Sequence, residues 1–268
     1  MEALLELFFE LSNDTRMNIL TNLVREPMRL TSLSNKLDSP AQEVSRQLAR
    51  LEKMTLTRKN SEGFYSVTSY AKHILSLMTG YSFLTENREY STEHTAEGIP
   101  LKFLNRIGEL QGSQPSNDVM MAFHFAEETI KGSNERIMIL SDQILLSTIP
   151  LLEERVSKGV PFYLVVPQDF DLSQPVKEFF LSRQVDNPLN ERVRSRFAEE
   201  ISAVIVASER EVGILAFPSV KGEFDYKGFR SSKKEMVQWA TDLFMHYWEN
   251  SSTKIPDKIM SIYNNRLN

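Results

Sequence analysis

Apolar residues in the first seventy positions recur at helical spacing. Within Glu2–Leu11 the set Leu4, Leu5, Leu7, Phe8, Phe9 and Leu11 predicts a short helix with a broad apolar face. Ser12 is placed to cap a second helix, with Asp14 in its first turn. Its apolar set is Met17, Ile19, Leu20, Leu23 and Val24, and Pro27 ends it. A third helix, capped by Thr31, is apolar at Leu30, Leu33 and Leu37. Ser39 at the N-cap, Pro40 at the first helical position and Glu43 at the capping-box position open a fourth. Its stripe Ala41, Val44, Leu48 and Leu51 predicts the buried face. Strand formers then flank Asn60-Ser61-Glu62-Gly63, with Leu56–Lys59 before it and Phe64–Thr68 after it, which predicts a β-hairpin.

The pattern changes after residue 68. Ser69–Leu84 carries Tyr70, Ile74, Leu75, Leu77, Met78 and Tyr81, an amphipathic run expected to pair with its two-fold mate. Thr85–Gly98 is polar without apolar period and reads as a linker. A second domain is expected from Ile99, with helices over Pro100–Leu110, Asp118–Lys131, Gln143–Lys158, Gln174–Ser182 and Lys233–Glu249. Gln111–Ser116 reads as a loop, and Gly132 and Gly159 read as helix stops. Strands are expected over Arg136–Leu140, Val160–Pro167, Val193–Phe197, Ser202–Ala207 and Val212–Phe217. One βαβ step followed by strands running together argues for a mixed sheet with helices on its faces. The expected fold class is α/β (α+β overall). The expected domains are 1–68, a connector and linker over 69–98, an α/β domain over 99–250, and a C-terminal tail over 251–268.

Charge changes the picture for the first domain. The chain of 268 residues has net charge −5, yet residues 27–60 hold Arg29, Lys36, Arg46, Arg50, Lys53, Arg58 and Lys59 against Asp38, Glu43 and Glu52. A local positive excess on an acidic chain can meet phosphate. On the fourth helix Gln42, Arg46 and Arg50 recur at i, i+4 and i+8, flanked by Glu43, Ser45 and Gln47. Arg reads guanine and Gln reads adenine from the major groove. A short helix with one polar face, opened by a tight turn, has the form of a recognition helix, and helices followed by a hairpin make a winged helix-turn-helix. Gln42, Arg46, Gln47 and Arg50 are expected at base edges. Ser39, Ser45, Arg58 and Lys59 are expected on the backbone, with Glu43 and Asn60 beside them.

The residues of Leu30–Leu37, Ser39–Leu51 and Leu56–Thr68 resemble winged helix-turn-helix regulators of the ArsR type. The second domain resembles the methanogenesis regulatory protein middle domain of archaeal regulators. That likeness is carried by Ile99–Leu110 (IPLKFLNRIGEL), Ile137–Gln143 (IMILSDQ), Lys158–Val160 and Gly222–Trp248. The resemblance implies a DNA-binding transcriptional regulator. It also implies a sensing domain shaped like half of a phospholipase-D-like fold, as in TrmB-type regulators.

Several chemistries are set aside on the sequence. Cys is absent, so thiolate metal sites, a Cys nucleophile and a disulfide framework are excluded. The four His form neither HxxxH nor HxH, and none is followed by Lys as HxK. P-loop, GxGxxG and GxSxG motifs are absent too. The expectation is therefore no enzyme, no metal and no cofactor. Apolar runs are too short for a membrane span, which needs about 20 residues, and MEALLELFFE does not resemble a signal peptide. A cytoplasmic protein is expected. A small-molecule effector is expected at strand ends, with Asp142 and Gln143 after one strand, Gln168 and Asp169 after the next, and Arg194 and Arg196 on a third. The partners expected are double-stranded DNA, a second copy of the chain and that effector. The other reading is a winged-helix adaptor that contacts the transcription machinery through protein surfaces, which the acidic overall charge keeps open.

Overall fold

The computed structural model describes residues 1–170, 192–254 and 256. The chain falls into two compact units, Met1–Thr79 and Gly80–Asn268. Both mix helices with sheet. The expected helix over Gln174–Ser182 and most of the expected tail lie outside the described residues.

The first unit begins with α1 (Glu2–Leu11) and α2 (Asp14–Arg25). Asn13, not Ser12, caps α2: its side-chain oxygen accepts from Arg16 N at 3.0 Å. Pro27 forces the preceding Glu26 into an extended conformation and so stops the helix. A two-residue strand β1 (Met28–Arg29) leads into α3 (Leu30–Lys36), whose N-cap is Arg29 rather than Thr31. Asp38, at φ 47°, makes the turn into α4 (Ala41–Lys53); a short polar residue tolerates that left-handed backbone better than most. Pro40 is the N-cap of α4, and Ser39 instead donates to Leu37 O at 3.2 Å. Strands β2 (Thr57–Lys59) and β3 (Phe64–Val67) form the expected hairpin. Asn60 Oδ1 accepts from the backbone N–H groups of Glu62 and Phe64, and Gly63 takes the positive φ of 87° that closes the turn. The sheet order is β1-β3-β2, all antiparallel. Ile19, Leu20, Leu33, Val44, Leu48, Leu51 and Leu56 are its fully enclosed core.

Helix α5 (Ser69–Glu86) opens on Thr68, whose hydroxyl donates to Thr55 O at 2.7 Å and accepts from Ala71 N at 3.1 Å. The stretch expected as a linker holds α6 (Arg88–Glu93). Its Tyr90 packs against Phe229 and Phe217 of the second unit. The Tyr90 hydroxyl accepts from Phe217 N at 2.8 Å, and burial pushes its pKa up. The polar residues around Tyr90 face outward, so no apolar period marks the helix.

The second unit is built on a seven-stranded sheet of order β4-β10-β9-β8-β5-β6-β7. Its strands are β4 (Gln114–Ser116), β5 (Ile137–Leu140), β6 (Phe162–Pro167), β7 (Val193–Ala198), β8 (Val204–Ser208), β9 (Val212–Ala216) and β10 (Gly228–Ser231). The neighbours β5, β6 and β7 are parallel, and the other pairings are antiparallel. Strand alternation sorts the core into two layers. Ile137 and Ile139 meet Ala122, Ala126 and Ile130 of α8 (Val119–Gly132) and Leu152 and Val156 of α9 (Ile149–Ser157). Met138 and Leu140 meet Trp239, Leu243 and Phe244 of α10 (Lys234–Asn250). Gly213 lets α8 sit directly on β9, because a Cβ there would lie 2.7 Å from Phe125 O and 2.5 Å from Thr129 Oγ1.

Several boundaries differ from the sequence pattern. Pro100–Leu110 is a short α7 (Leu101–Leu104) and a 3-10 turn (Ile107–Leu110). Gln143–Lys158 is helical only from a 3-10 turn at Leu146 onward, with Pro150 near the start of α9 because it has no N–H to donate. Part of the expected loop Gln111–Ser116 is β4, where Pro115 is tolerated on an edge strand.

Candidate nucleic-acid interface and effector residues

Helix α4 offers its polar face on a rigid base. Val44, Leu48 and Leu51 are buried in the core of the first unit, whereas Ala41, expected in that stripe, is exposed. Gln42, Ser45 and Arg46 are exposed on the outside of the helix. Arg46 remains 70% exposed while its Nη2 contacts Glu43 Oε2 at 2.7 Å. Hydrogen bonds from Gln47 and Arg46 hold the Glu43 carboxyl below the usual carboxylate range. Beyond the helix, Arg58 and Lys59 are exposed on β2. Arg58 Nε reaches Ser66 Oγ at 3.3 Å, and Lys59 Nζ lies 5.2 Å from the Tyr65 ring centre. Arg29 lies 4.7 Å over Phe64.

Two residues expected at base edges are committed elsewhere. Gln47 is buried: its Oε1 accepts from Arg16 Nη1 at 2.9 Å and its Nε2 donates to Glu43 Oε1 at 2.6 Å. It belongs to the interior and not to the exposed face of α4. Arg50 places Nε and Nη2 on the Glu10 carboxylate of α1, the Nε contact at 3.0 Å. An α-helix turns about 100° per residue, so a residue eight places on has drifted about 80° around it. The i, i+4, i+8 row therefore carries Arg50 off the face of Gln42 and toward α1. Asn60 builds the hairpin turn with its side-chain oxygen, and Ser39 is half-buried in the turn before α4.

The pair Glu10 and Arg16 was not singled out in the sequence. Arg16 is buried, and its guanidinium donates to Glu10 O at 2.6 Å and Phe9 O at 3.0 Å, the last-turn carbonyls of α1. It also contacts Glu10 Oε2 at 3.1 Å. Glu10 thus takes two guanidinium groups, one from α2 and one from α4. The hydrogen bond from Arg50 and the charges of Arg16 and Lys53 hold its carboxyl low, against the opposing effect of burial. A signal existed: Arg16 lies three, four and seven places before Ile19, Leu20 and Leu23, on the stripe that becomes the core.

The six effector residues are not brought to one place. Asp142 lies after β5 on the α8–α9 side of the sheet, where Tyr226 OH donates to its Oδ1. Burial and that carboxylate push the Tyr226 pKa up, and Tyr226 holds a left-handed φ of 60°. Gln143 is exposed beside this pair. Arg196 lies on the opposite side, with its guanidinium 4.6 Å over Trp248 and donating to Trp248 O at 2.5 Å. Arg194 lies 6.0 Å over Tyr163 on that same side. Gln168 and Asp169 are exposed in the turn after β6. Asp142 lies beyond the end of β5 and turns to the α8–α9 side, whereas Arg194 and Arg196 on β7 share the other face, so no carboxylate–arginine pocket forms from them.

No protein-family model and no curated protein sequence matches the chain. Among solved structures, TrmBL2, an archaeal chromatin protein described as showing a novel mode of DNA binding, aligns over 90% of this chain and 94% of its own. The identity is 12% and the TM-score 0.41. NolR from Sinorhizobium fredii aligns over 30% of this chain and 84% of its own at 26% identity, with a TM-score of 0.27. The S-adenosylmethionine-dependent methyltransferase SibL aligns over 71% of this chain and 62% of its own at 12% identity, with a TM-score of 0.26. The methyltransferase alignments overturn the sequence-based exclusion of an enzyme, which is withdrawn. At these scores none of the likenesses carries a function to this chain.

Proposed function

We propose that the chain is a sequence-specific DNA-binding transcriptional regulator. Its first unit is a winged helix-turn-helix in which α3 and α4 are the helix pair, α4 enters the major groove, and the β2–β3 hairpin is the wing. The observation that carries the reading is the outer face of α4. Gln42, Ser45 and Arg46 are exposed together on a helix whose inner face is locked into the core, a short turn after α3. Side chains fixed this way reach base edges without reorganisation. Gln42 and Arg46 are the base readers. Ser45, Arg58 and Lys59 meet the backbone, with Lys53 adding charge at the end of the helix.

The regulator acts as a homodimer, because a single α4 covers one half-site. Alternating steps of four and three along α5 place Tyr70, Ile74, Leu77, Tyr81 and Leu84 in one row, and Tyr70, Leu77, Tyr81 and Leu84 are exposed. An apolar row of that period suits the same row of a second copy. No described helix is long and apolar enough to cross a membrane. The second unit is read as the effector domain. Its ligand couples to DNA binding only through different affinities for two states of the dimer, typically 1–3 kcal/mol.

The test is a fluorescence anisotropy titration against DNA from upstream of the chain's own gene, at low and physiological salt, with scrambled competitor. Tight, competitor-resistant binding that weakens steeply with salt is expected. Equal, weak binding to both DNAs, together with capture of transcription machinery in the absence of DNA, would favour the adaptor reading instead.

A further inference from the structure

The second unit holds a cleft of about 630 Å³ lined by none of the six residues expected from the sequence. That volume lies within the range of small-molecule sites. The cleft is bounded by α8, the start of β9 and the turn from β10 into α10. Its charged groups are of both signs. Arg230 is on β10, Lys233 is the N-cap residue of α10, Glu211 precedes β9, and Glu128 is on α8. The Arg230 guanidinium is 3.9 Å over the Phe125 ring, and its Nε donates to Gln114 Oε1 at 3.0 Å. These contacts fix the guanidinium plane while leaving both terminal amino groups without a hydrogen-bond partner among the described residues. Lys233 spends one proton on Gln111 O at 3.1 Å. Glu211 accepts from Thr129 Oγ1 at 3.0 Å through one carboxylate oxygen, and among the described residues Glu128 meets only the exposed Lys131, at 3.5 Å.

This set discriminates among ligand classes. A polyphosphate would confront two carboxylates. A sugar that stacks on an aromatic ring would find the Phe125 face shared with a guanidinium. A molecule carrying one carboxylate and one ammonium satisfies both signs at once. We propose that the cleft binds a zwitterionic aminocarboxylate of the amino-acid class, its carboxylate on Arg230 and Lys233 and its ammonium on Glu211 and Glu128. The proposal gives the effector reading of this unit a place and a chemistry, but the binding itself needs no DNA.

The test is isothermal titration calorimetry of the full chain, without DNA, against each of the twenty standard L-amino acids. Sodium propionate, propylamine, glucose and inorganic phosphate are the comparison probes. At least one amino acid is expected to bind, its N-acetyl form is expected to lose binding, and Arg230→Met and Glu211→Gln are each expected to weaken it about tenfold or more. Lys233→Met, at an exposed side chain, carries the same expectation should Arg230→Met fail to fold. The proposal is overturned if no amino acid binds, if folded variants bind as tightly as the parent, or if phosphate or glucose binds in their place. Because DNA is absent, a failed operator titration leaves these results intact, and a failed calorimetric screen leaves the operator reading intact.

Discussion

Replacing Glu10 with Gln removes one charge from a three-residue network and keeps the shape. The Glu10 and Arg16 side chains are 8% and 6% exposed, with Arg16 Nε 3.1 Å from Glu10 Oε2. At an effective dielectric constant of about 20, two unit charges at that separation attract by about 5 kcal/mol before desolvation is counted. Desolvation offsets part of this, but it is not recovered when one partner stays buried and charged. Breaking a buried pair from one side costs about 3–5 kcal/mol. The amide of the Glu10→Gln variant retains a carbonyl acceptor for one guanidinium, so a loss of about 2–4 kcal/mol is expected. The assay is urea denaturation of the full chain, following the transition of the first unit, for the parent, Glu10→Gln, Arg50→Met and the double variant. Arg50 is 45% exposed and solvated when released, so Arg50→Met is expected to cost clearly less than Glu10→Gln. Acid supplies a second reading. The folded Glu10 carboxyl is held low, so its contribution is fully present above the ordinary carboxylate range and is lost as pH falls through the lowered value. Glu10→Gln should therefore flatten the acid limb of the stability profile. A loss below about 1 kcal/mol, or an unchanged acid limb, would refute the assignment of Glu10 as the buried anchor of α1, α2 and α4.

Other substitutions separate reading, clamping and packing. Arg46→Ala should cost about 1–3 kcal/mol of operator affinity and relax specificity, measured by anisotropy on operator and single-base variants. Lys59→Ala should weaken all sequences alike and lower the salt slope by about 1. Leu77→Glu should shift the dimer to monomer in analytical ultracentrifugation, since burying one Leu per copy contributes roughly 1.5–3 kcal/mol each. Gly213→Ala should lower the melting transition of the second unit, at about 1–3 kcal/mol, because the added Cβ meets Phe125 O and Thr129 Oγ1 of α8 and forces that helix off β9.

The elements legible in the sequence were those whose apolar residues keep one period under both packing and solvent. Helices α1, α2 and α4, the hairpin and strands β5, β6, β8 and β9 meet that condition, and their expected ranges overlap the observed ones. Caps were less legible, because Asn13 and Ser12 both have the chemistry of an N-cap and only the entry angle of the chain decides between them. Helix α6 escaped because a single aromatic, Tyr90, anchors it and a single residue has no period. Strand β4 escaped because Pro115 reads as a breaker unless the strand is known to be an edge. The exposed face of α4 was legible at Gln42, Ser45 and Arg46. Gln47 and Arg50 turn away from that face because polarity does not dictate exposure, and the buried Arg16 and Glu10 supply a destination for both. The expected effector residues are scattered for a different reason. Adjacency to strand ends says nothing about which side of the sheet a side chain takes, and the cleft opens around β10, a strand the periodicity did not reveal.

On the proposed DNA-binding reading, the ion pairs on α4 also set what one copy can do. Glu43 already pairs with Arg46 and Glu10 with Arg50, so these two arginines bring little uncompensated charge to the phosphates. The remaining cations of the α4 and wing side are Lys53, Arg58 and Lys59, with Arg29 over Phe64 and Lys36 near Glu26 at 3.8 Å. Each phosphate contact contributes about 0.9 to the salt slope, so a copy engaging roughly three to five phosphates gives a slope of only about −3 to −4.5. That is a weak electrostatic grip for a chain with net charge −5, whose acidic remainder adds long-range repulsion. Two copies bound side by side double the slope and the number of bases read at once. On the proposed reading this arithmetic makes dimerisation a condition of operator recognition, and a substitution on the α5 row should abolish specific binding even though it touches no base.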